Sequence, residues 1–439
     1  MKIPEKAPNW IETLNNTNHS IQNFLSLQET IKKSNQEYLY WDQFKYLKFP
    51  EGINPEEAWA ALKLARIGQA KHITLADKNK LLFSYSLPDQ ALKDLHFIDQ
   101  NASGQILVEE PGVTKVEKPK YIMRYIMEEA ITSSQIEGAA TTRAVAKEML
   151  RTGRKPENYA EKMIYNNYIT ITKIKEITDR PLTPELIKKI HGYITAGTLD
   201  DPFQEGNFRT EDVEVFDIDG QKVLHSPPSH VEIEKSIELL CKFANEDEED
   251  FVHPIMKGII LHFWLAYLHP FMDGNGRTAR ALFYWYVLKK KYWLFEYLSI
   301  SSIILKKRIQ YYKSFLYSEM DDGDMTYFLM FHLCAIIEAI RELREYLERK
   351  QRESNLARRF LLKYPGLNYR QRSLLASAVE RPDEVYTFEK HANIHDIVYE
   401  TARTDLFKLH KLGLLDMRKE GRKYYFNPAQ GLKERLIGK

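Results

Sequence analysis

The sequence predicts a mainly α protein with one short β-hairpin and a C-terminal module built as a winged helix-turn-helix. Three observations predict it. Two apolar runs, residues 259–268 and 281–288, are each long enough for a buried helix, and they flank a short segment rich in glycine and arginine. Helix-start chemistry recurs: Asn54-Pro55-Glu56-Glu57 and Thr183-Pro184-Glu185 each place proline at a first turn behind a capping side chain. Strand patterns are confined to the stretch near residues 213–224 and to the chain after Gly413.

A chain of 439 residues exceeds one compact core, so two or three domains are expected. The organisation read from the sequence is a helical lead-in over 1–115, a core over 116–350, and the C-terminal module over 355–439. The 63 Lys and Arg against 61 Asp and Glu exclude a generic polyanion binder. Cys241 and Cys334, the two cysteines present, make no disulfide framework and suit a reducing compartment. The N-terminus lacks the apolar stretch of a signal peptide, and no uncharged run reaches the length of a membrane span. A cytoplasmic protein without a membrane segment is therefore expected.

In the lead-in, Trp10 to Tyr38 carries an imperfect helical stripe, and a helix follows Asn54-Pro55. His72 and His96 read as surface or packing residues. Asn101-Ala102-Ser103-Gly104 and Pro111-Gly112 mark a boundary. A helix from about 121 then runs into Ser133-Ser134-Gln135-Ile136-Glu137-Gly138, with Gly138 as its C-cap. Glu137 would lie in the last turn, where the helix dipole disfavours an acid. It needs either a basic partner from elsewhere or solvent.

Helices are expected over 159–177 and 186–195. Val213-Glu214-Val215 and Lys222-Val223-Leu224 then form a hairpin around an Asp219-Gly220 turn. Its exposed edges leave it either decorative or able to capture an extended segment by strand addition. Residues 246–250 form an acidic run that reads as a solvated loop. His253, His262 and His269 match no common zinc spacing, and the first two read as structural.

The segment His269-Pro270-Phe271-Met272-Asp273-Gly274-Asn275-Gly276-Arg277-Thr278-Ala279-Arg280 carries the chemistry. Pro270 disfavours helical geometry at His269, so the first helix ends there with the imidazole at its tip. Gly274 and Gly276 free the backbone to point amides, with that of Asn275, inward ahead of the next helix, an arrangement that favours an anion. Arg277 and Arg280, three apart, lie near one side of its first turn and suit a polyphosphate. Asp273 would repel a bare anion; Mg²⁺ held by one carboxylate and phosphate oxygens removes the conflict. His269 is then a candidate general base for an attacking hydroxyl. An isolated Gly-Asn-Gly would be an ordinary turn between helices; His, Asp and two Arg at fixed offsets set this one apart.

These twelve residues fill every fixed position of HPFxDGNGRxxR, and the chain resembles the Fic (fido) family. The resemblance implies an all-α core and transfer of AMP from ATP to a protein hydroxyl. His269 would be the base and Asp273 the Mg²⁺ ligand. Gly274, Asn275 and Gly276 would cradle the phosphates, and Arg277 and Arg280 would bind the phosphate tail, Arg280 nearest its γ end. Ser133, Glu137 and Gly138 match the family's [ST]xxxE[GN] inhibitory motif, within a helix spanning about 121–142. The resemblance pairs Glu137 with Arg280, removing a γ-phosphate contact. Residues 206–226 resemble the flap that holds the target segment, and Tyr312 would lie near the adenine. Two rival readings stay open: removal of AMP, or transfer of another phosphate-bearing group, on the same fold, and a nucleic-acid-binding regulator.

Near residue 301 another helix begins and runs through Tyr311 and Tyr312, and Asp321-Asp322-Gly323-Asp324 breaks the chain before a helix over 325–349. The last module shows helices over 370–379, from Tyr386, and over 401–412, then strands over 414–418 and 423–426 around Glu420-Gly421. From residue 401 onward ten Lys and Arg face four Asp and Glu. Arg403, Lys408 and Lys411 on the helix, and Arg418, Lys419, Arg422 and Lys423 in the wing, can meet phosphates; a protein-docking surface is the equal alternative. The expected partners are ATP, a target protein that can be the chain itself, a second copy in a homodimer, and DNA at the C-terminal module, with no membrane.

Overall fold

The structure, a computed structural model, describes residues 3–16, 21–77, 80–103, 118–216, 221–246, 251–363, 366–381, 383–421 and 423–432. The chain divides into two compact units, Met1–Ile106 with Pro119–Arg341, and Leu107–Lys118 with Glu342–Lys439. Both are dominated by helices, and their sheets are two-stranded antiparallel hairpins.

The first unit opens with α1 (Trp10–Asn16), α2 (Ile21–Glu37), α3 (Trp41–Phe44) and α4 (Pro55–Ile67). The helical stripe expected over 10–38 is thus two helices, and residues 17–20 between them lie outside the described residues. Asn54 caps α4 in a full capping box with Glu57, behind Pro55. A hairpin, β1 (Lys71–Ala76) and β2 (Leu82–Tyr85), follows. This corrects the expectation that the 213–224 stretch is the first strand pattern. The alternation His72-Ile73-Thr74-Leu75 buries Ile73 and Leu75, but no Asn-Gly or Asp-Gly turn marks it. His72 and His96 are exposed, as expected.

Helix α5 (Asp89–Ala102) takes in Asn101 and Ala102, which were expected in the boundary loop, and residues 104–112 of that loop lie outside the described residues. The core then runs α6 (Lys118–Ile136), α7 (Arg143–Thr152), α8 (Tyr159–Ile174), α9 (Pro184–Thr195), β3 (Val215–Phe216), β4 (Val223–His225), α10 (Ile233–Asn245), α11 (Pro254–Leu268), α12 (Asn275–Lys289), α13 (Ile300–Lys306), α14 (Arg308–Met320) and α15 (Thr326–Lys363). The hairpin β3–β4 is shorter than expected, and its Asp219-Gly220 turn lies outside the described residues, as do residues 247–250 of the acidic run. The helix expected through Arg308 is two helices that meet at Lys307.

The central element is α11. It is apolar all round and buried on every face, the pattern of a core helix rather than a surface one. Gly258 lets α12 lie close: a Cβ there would sit 3.1 Å from Val287. The pair α11–α12 is the helical hairpin that carries the signature loop.

A buried polar network ties the lead-in to the turn between α14 and α15. Lys63 pairs with Asp321 at 2.7 Å, both side chains under 5 % exposed. Arg66 donates to the Tyr327 hydroxyl at 2.7 Å, and that hydroxyl donates to Asp321 at 2.8 Å. Tyr38 donates to Asp324 at 2.6 Å. Removing one partner of a buried pair strands the other charge. Asp321→Ala should therefore cost about 3–5 kcal/mol in urea denaturation; a loss of under about 0.5 kcal/mol, the size of an ordinary surface change, would show that the pair is not structural.

The second unit contains α16 (Tyr369–Glu380), α17 (Phe388–His395), α18 (Tyr399–Lys411) and the hairpin β5 (Leu415–Glu420) and β6 (Lys423–Pro428). Leu375, Leu406, Leu409 and Phe426 are fully buried at its centre. The carboxylate of Asp405 accepts from Arg370 at 2.7 Å, Asn368 at 2.7 Å and Gln371 at 2.9 Å, which fixes α16 against α18.

Candidate active site

Helix α11 stops at Leu268, and His269 takes its C-cap position with φ 47° and ψ 52°. A left-handed histidine is uncommon and needs support. The main support is Arg209, which sequence reasoning did not single out. Its Nε donates to the His269 carbonyl at 2.9 Å, and its backbone N–H donates to the Pro270 carbonyl at 2.9 Å. The same guanidinium donates to the carbonyls of Glu211 and Pro228, at the two ends of the β3–β4 segment. One buried arginine thereby fastens the hairpin to the loop.

The loop from Pro270 to Gly274 is pinned from both sides. Asn275 accepts from the Phe271 amide at 2.9 Å and donates to the Phe271 carbonyl at 2.8 Å. Its side chain is thus committed to the loop, leaving its backbone amide for a ligand. His191, from α9, stacks on Phe271 with ring centroids 3.7 Å apart. Its Nδ1 accepts from the Gly206 amide at 3.0 Å, so Nε2 carries the proton and donates to the Asp273 carbonyl at 2.8 Å. Burial, the largest influence, pushes the His191 pKa down to about 4, which suits this neutral bridging role. Gly274 has φ 80°, and a Cβ there would meet Thr195 at 2.8 Å.

The two arginines of the signature are neighbours on α12 but reach different elements. Arg277 pairs with Asp273 at 3.3 Å and donates to the Ile194 carbonyl at 3.4 Å. Arg280 turns to α6: its Nε donates to the Ser133 hydroxyl at 2.8 Å, and its Nη2 donates to the Ser133 carbonyl at 2.9 Å and to Glu137 Oε1 at 2.8 Å. Burial works against the Arg280 charge, but Glu137 and other neighbours raise its pKa above the ordinary arginine value. The Glu137 carboxylate lies directly over Gly276, where a Cβ would fall 2.3 Å from Oε1. Two buried donors, Arg277 Nε and Arg280 Nη1, have no hydrogen-bond partner among the described residues.

Helix α6 ends at Ile136, short of the expected limit near residue 142, so Glu137 lies just past the last turn rather than in it, and Gly138 at φ 92° turns the chain away. Glu129 holds the middle of α6, accepting from the Ser299 hydroxyl and the Ser301 amide at 3.0 Å each. Glu137, left open by its residues alone between a basic partner and solvent, has the basic partner and is 30 % exposed.

A cavity of about 380 Å³ adjoins these groups. Its lining includes Glu137, Gly276 and His269, Tyr312 and Arg308 of α14, and Phe216, Leu224 and His225 of the hairpin segment. Tyr311 also lines the cavity, but its side chain is buried and its hydroxyl is bonded to His262 at 3.0 Å. His225 joins the hairpin to the core through Glu319 at 2.6 Å and the Tyr267 carbonyl at 2.7 Å. Burial, followed by the neighbouring His225, pushes the His269 pKa down to about 4.

Asp273 is the one signature carboxylate, and its side chain is half exposed. Mg²⁺ characteristically takes one or two carboxylates and completes its shell with phosphate oxygens and water. A single half-exposed carboxylate beside an anion site, held by Arg277 and the Gly274 amide, fits that habit. Among the described residues no group of three or more His, Cys, Asp or Glu side chains could hold a metal without a ligand. His253 caps α11 and meets Asp99, and His262 is buried in the core, so both are structural.

In the second unit Arg403, Lys408, Lys411, Arg418, Lys419 and Lys423 are all exposed, while Arg422 lies outside the described residues. Arg403 pairs with Glu400 at 3.4 Å and Arg418 with Glu420 at 3.5 Å, which offsets part of the basic surface. No helix among the described residues is long and apolar enough to cross a membrane.

Arg209, His191, His225 and Arg308 went unassigned from sequence. Each has at least one partner 15 to 172 residues away, a separation that leaves no local spacing to read.

Residues 181–287 match the model of the Fic/DOC family. The chain is 31 % identical over 122 residues to "Protein adenylyltransferase Fic" of Nematostella vectensis, covering 28 % of this chain and 25 % of that protein. It is 26 % identical over 179 residues to the protein of the same description from Culex quinquefasciatus, covering 39 % and 33 %. The matched segments thus span a quarter to a third of those relatives. Among solved structures, a variant of Fic-1 from C. elegans aligns with TM-score 0.50 at 15 % identity, over 77 % of this chain and 91 % of that one. That likeness concerns the fold.

Proposed function

This chain carries a domain of the Fic/DOC family, and from that premise we propose that it transfers AMP from ATP to a Ser, Thr or Tyr hydroxyl of a protein and is held back by Glu137. The observation that carries the reading is the Glu137 carboxylate resting over Gly276 and on Arg280. An anion of this chain's own already lies where the helix N-terminus and a buried guanidinium converge. The buried donors left on Arg277 and Arg280 add capacity for phosphate oxygens.

In the reaction, the amides of Asn275 and Gly276 and the guanidiniums of Arg277 and Arg280 grip the triphosphate, while the Gly274 amide, expected to join them, donates to Asp273 Oδ1 and orients that carboxylate. Asp273 would hold Mg²⁺, which when bound neutralises phosphate charge. The hairpin β3–β4 holds the target segment beside the cavity, where Tyr312 faces the base. Neutral His269 accepts the hydroxyl proton as the oxygen bonds to the α-phosphorus, and the bond from that phosphorus to pyrophosphate breaks. The base contributes on the order of 10²–10⁴ in rate, with positioning and charge stabilisation supplying much of the rest.

The test uses ATP labelled at either the α or the γ phosphate, with the Glu137→Gly protein as its own acceptor. Label should enter protein from the α position and not from the γ position. Incorporation of γ label would replace adenylyl transfer by phosphoryl transfer. Loss of label from a pre-modified target in the unmutated protein would favour AMP removal instead.

The pH dependence follows from the depressed His269 pKa. A base with pKa about 4 is neutral, and competent, from alkaline pH down to mildly acid pH. Removing Glu137 takes away a charge that raises this pKa, so the sign is unchanged in the released variant. The kcat/KM of Glu137→Gly should stay flat from about pH 8 to about pH 6 and fall only toward pH 4. A titration near about 6.5, the ordinary histidine value, would contradict the buried placement of the imidazole.

A further inference from the structure

The geometry points to Arg308 as the residue that sets how firmly Glu137 is held, and so to a link between filling of the cavity and release of inhibition. This rests on the reading of Glu137 as the inhibitory carboxylate. The last carbonyls of a helix lack intrahelical partners. At the end of α6, Ser134 O accepts from the amides of Glu137 and Ala139, and Gln135 O from that of Gly138. The carbonyl of Ile136 is met differently: Arg308 Nη2, 172 residues away, donates to it at 2.7 Å. Ile136 is bonded directly to Glu137, so fixing that peptide fixes the direction from which the Glu137 side chain reaches Arg280. A cation at a helix C-terminus also suits the dipole.

Arg308 faces the cavity as well. Its Nε lies 3.4 Å from the Tyr312 hydroxyl, and its guanidinium carbon lies 5.6 Å from the centre of the Tyr312 ring. Tyr312, Arg308 and Glu137 line the same space. One guanidinium therefore touches both the end of the inhibitory helix and the region a nucleotide fills. An anionic oxygen is a stronger acceptor than a peptide carbonyl. A nucleotide that draws Arg308 toward itself removes the support of Ile136 and loosens Glu137 from Arg280. Arg308 is a positioning residue: it acts on the reaction through Glu137.

Non-additivity tests this. Self-labelling with α-labelled ATP is measured on the full chain as the unmutated protein, Arg308→Ala, Glu137→Gly and the double variant, with thermal melts confirming that each folds. Arg308→Ala should raise labelling roughly tenfold where Glu137 is present, the scale of one charge-assisted hydrogen bond, and should give no increase where Glu137 is absent. Arg308→Lys, which keeps a charged donor, should return labelling to within about threefold of the unmutated protein. Where the alanine variant melts early, Arg308→Gln serves in its place with the same expected direction. An equal factor in both backgrounds, upward or downward, would overturn the inference and leave Arg308 a nucleotide contact. A Glu137→Gly protein with unchanged labelling would bring down the inhibitory reading and this one together. Raised labelling by Glu137→Gly with none by Arg308→Ala would bring down this one alone.

Discussion

Replacing His269 should lower AMP transfer by on the order of 10²–10⁴ while nucleotide affinity stays within a few-fold. The two effects separate because the imidazole and the phosphate donors come from different parts of the loop. The donors expected to hold a triphosphate are the amides at the start of α12 and the guanidiniums of Arg277 and Arg280. His269 sits at the other end, at the C-cap just after α11, and lines the cavity. Its backbone has φ 47°, a conformation that asparagine tolerates better than alanine. His269→Asn is therefore the companion to His269→Ala, since it removes the base with less disturbance of the loop. Labelling retained by both variants would remove His269 from the reaction.

Glu137→Gly should raise self-labelling by about one to two orders of magnitude, the range expected when a charge-assisted pair of partly buried groups is released. The change clears the space over Gly276 and frees one Arg280 donor. It does not set the whole guanidinium loose, because Ser133 still accepts from Nε and Nη2. That residual hold keeps Arg280 oriented toward the site and limits the entropy lost on binding phosphate. Glu137→Gln, which keeps the shape and loses the charge, should fall between the two. Unchanged labelling in both variants would mean that the carboxylate is not what restrains the reaction.

The parts of this molecule that were legible in sequence are those written locally. The end of α11 and the start of α12 follow from Pro270 and from Gly274 just ahead of Asn275, and the all-apolar character of α11 announces burial. Thr183-Pro184 opened α9 as expected. Gly138 closed the turn after α6, yet its position alone could not decide what Glu137 faces; the resemblance of the motif proposed Arg280, and the pairing is present at 2.8 Å. The hairpin β1–β2 was missed because its turn has no glycine signal, although the alternation in His72-Ile73-Thr74-Leu75 was there to read. The break at Lys307 was missed because apolar residues continue on both sides of it.

What remained hidden was long-range. Arg209 is one arginine in a loop with no periodicity, and its role lies in joining the neighbouring Glu211 carbonyl to those of Pro228 and of the helix end at His269, which are remote in sequence. His191 looked like any histidine on an amphipathic helix until its two ring nitrogens were found bridging Gly206 and Asp273. The signature names the groups that meet a ligand; the groups that hold them in place come from α9, the β3–β4 segment and α14, and only folding brings these together.

The most direct measurement is peptide mass spectrometry of the Glu137→Gly protein after incubation with Mg²⁺ and, separately, ATP, GTP, CTP and UTP. The account predicts the mass of one AMP on a serine, threonine or tyrosine after ATP, and its loss when His269→Asn is added. An unmodified protein with all four nucleotides, or the same adduct with His269 replaced, would contradict it.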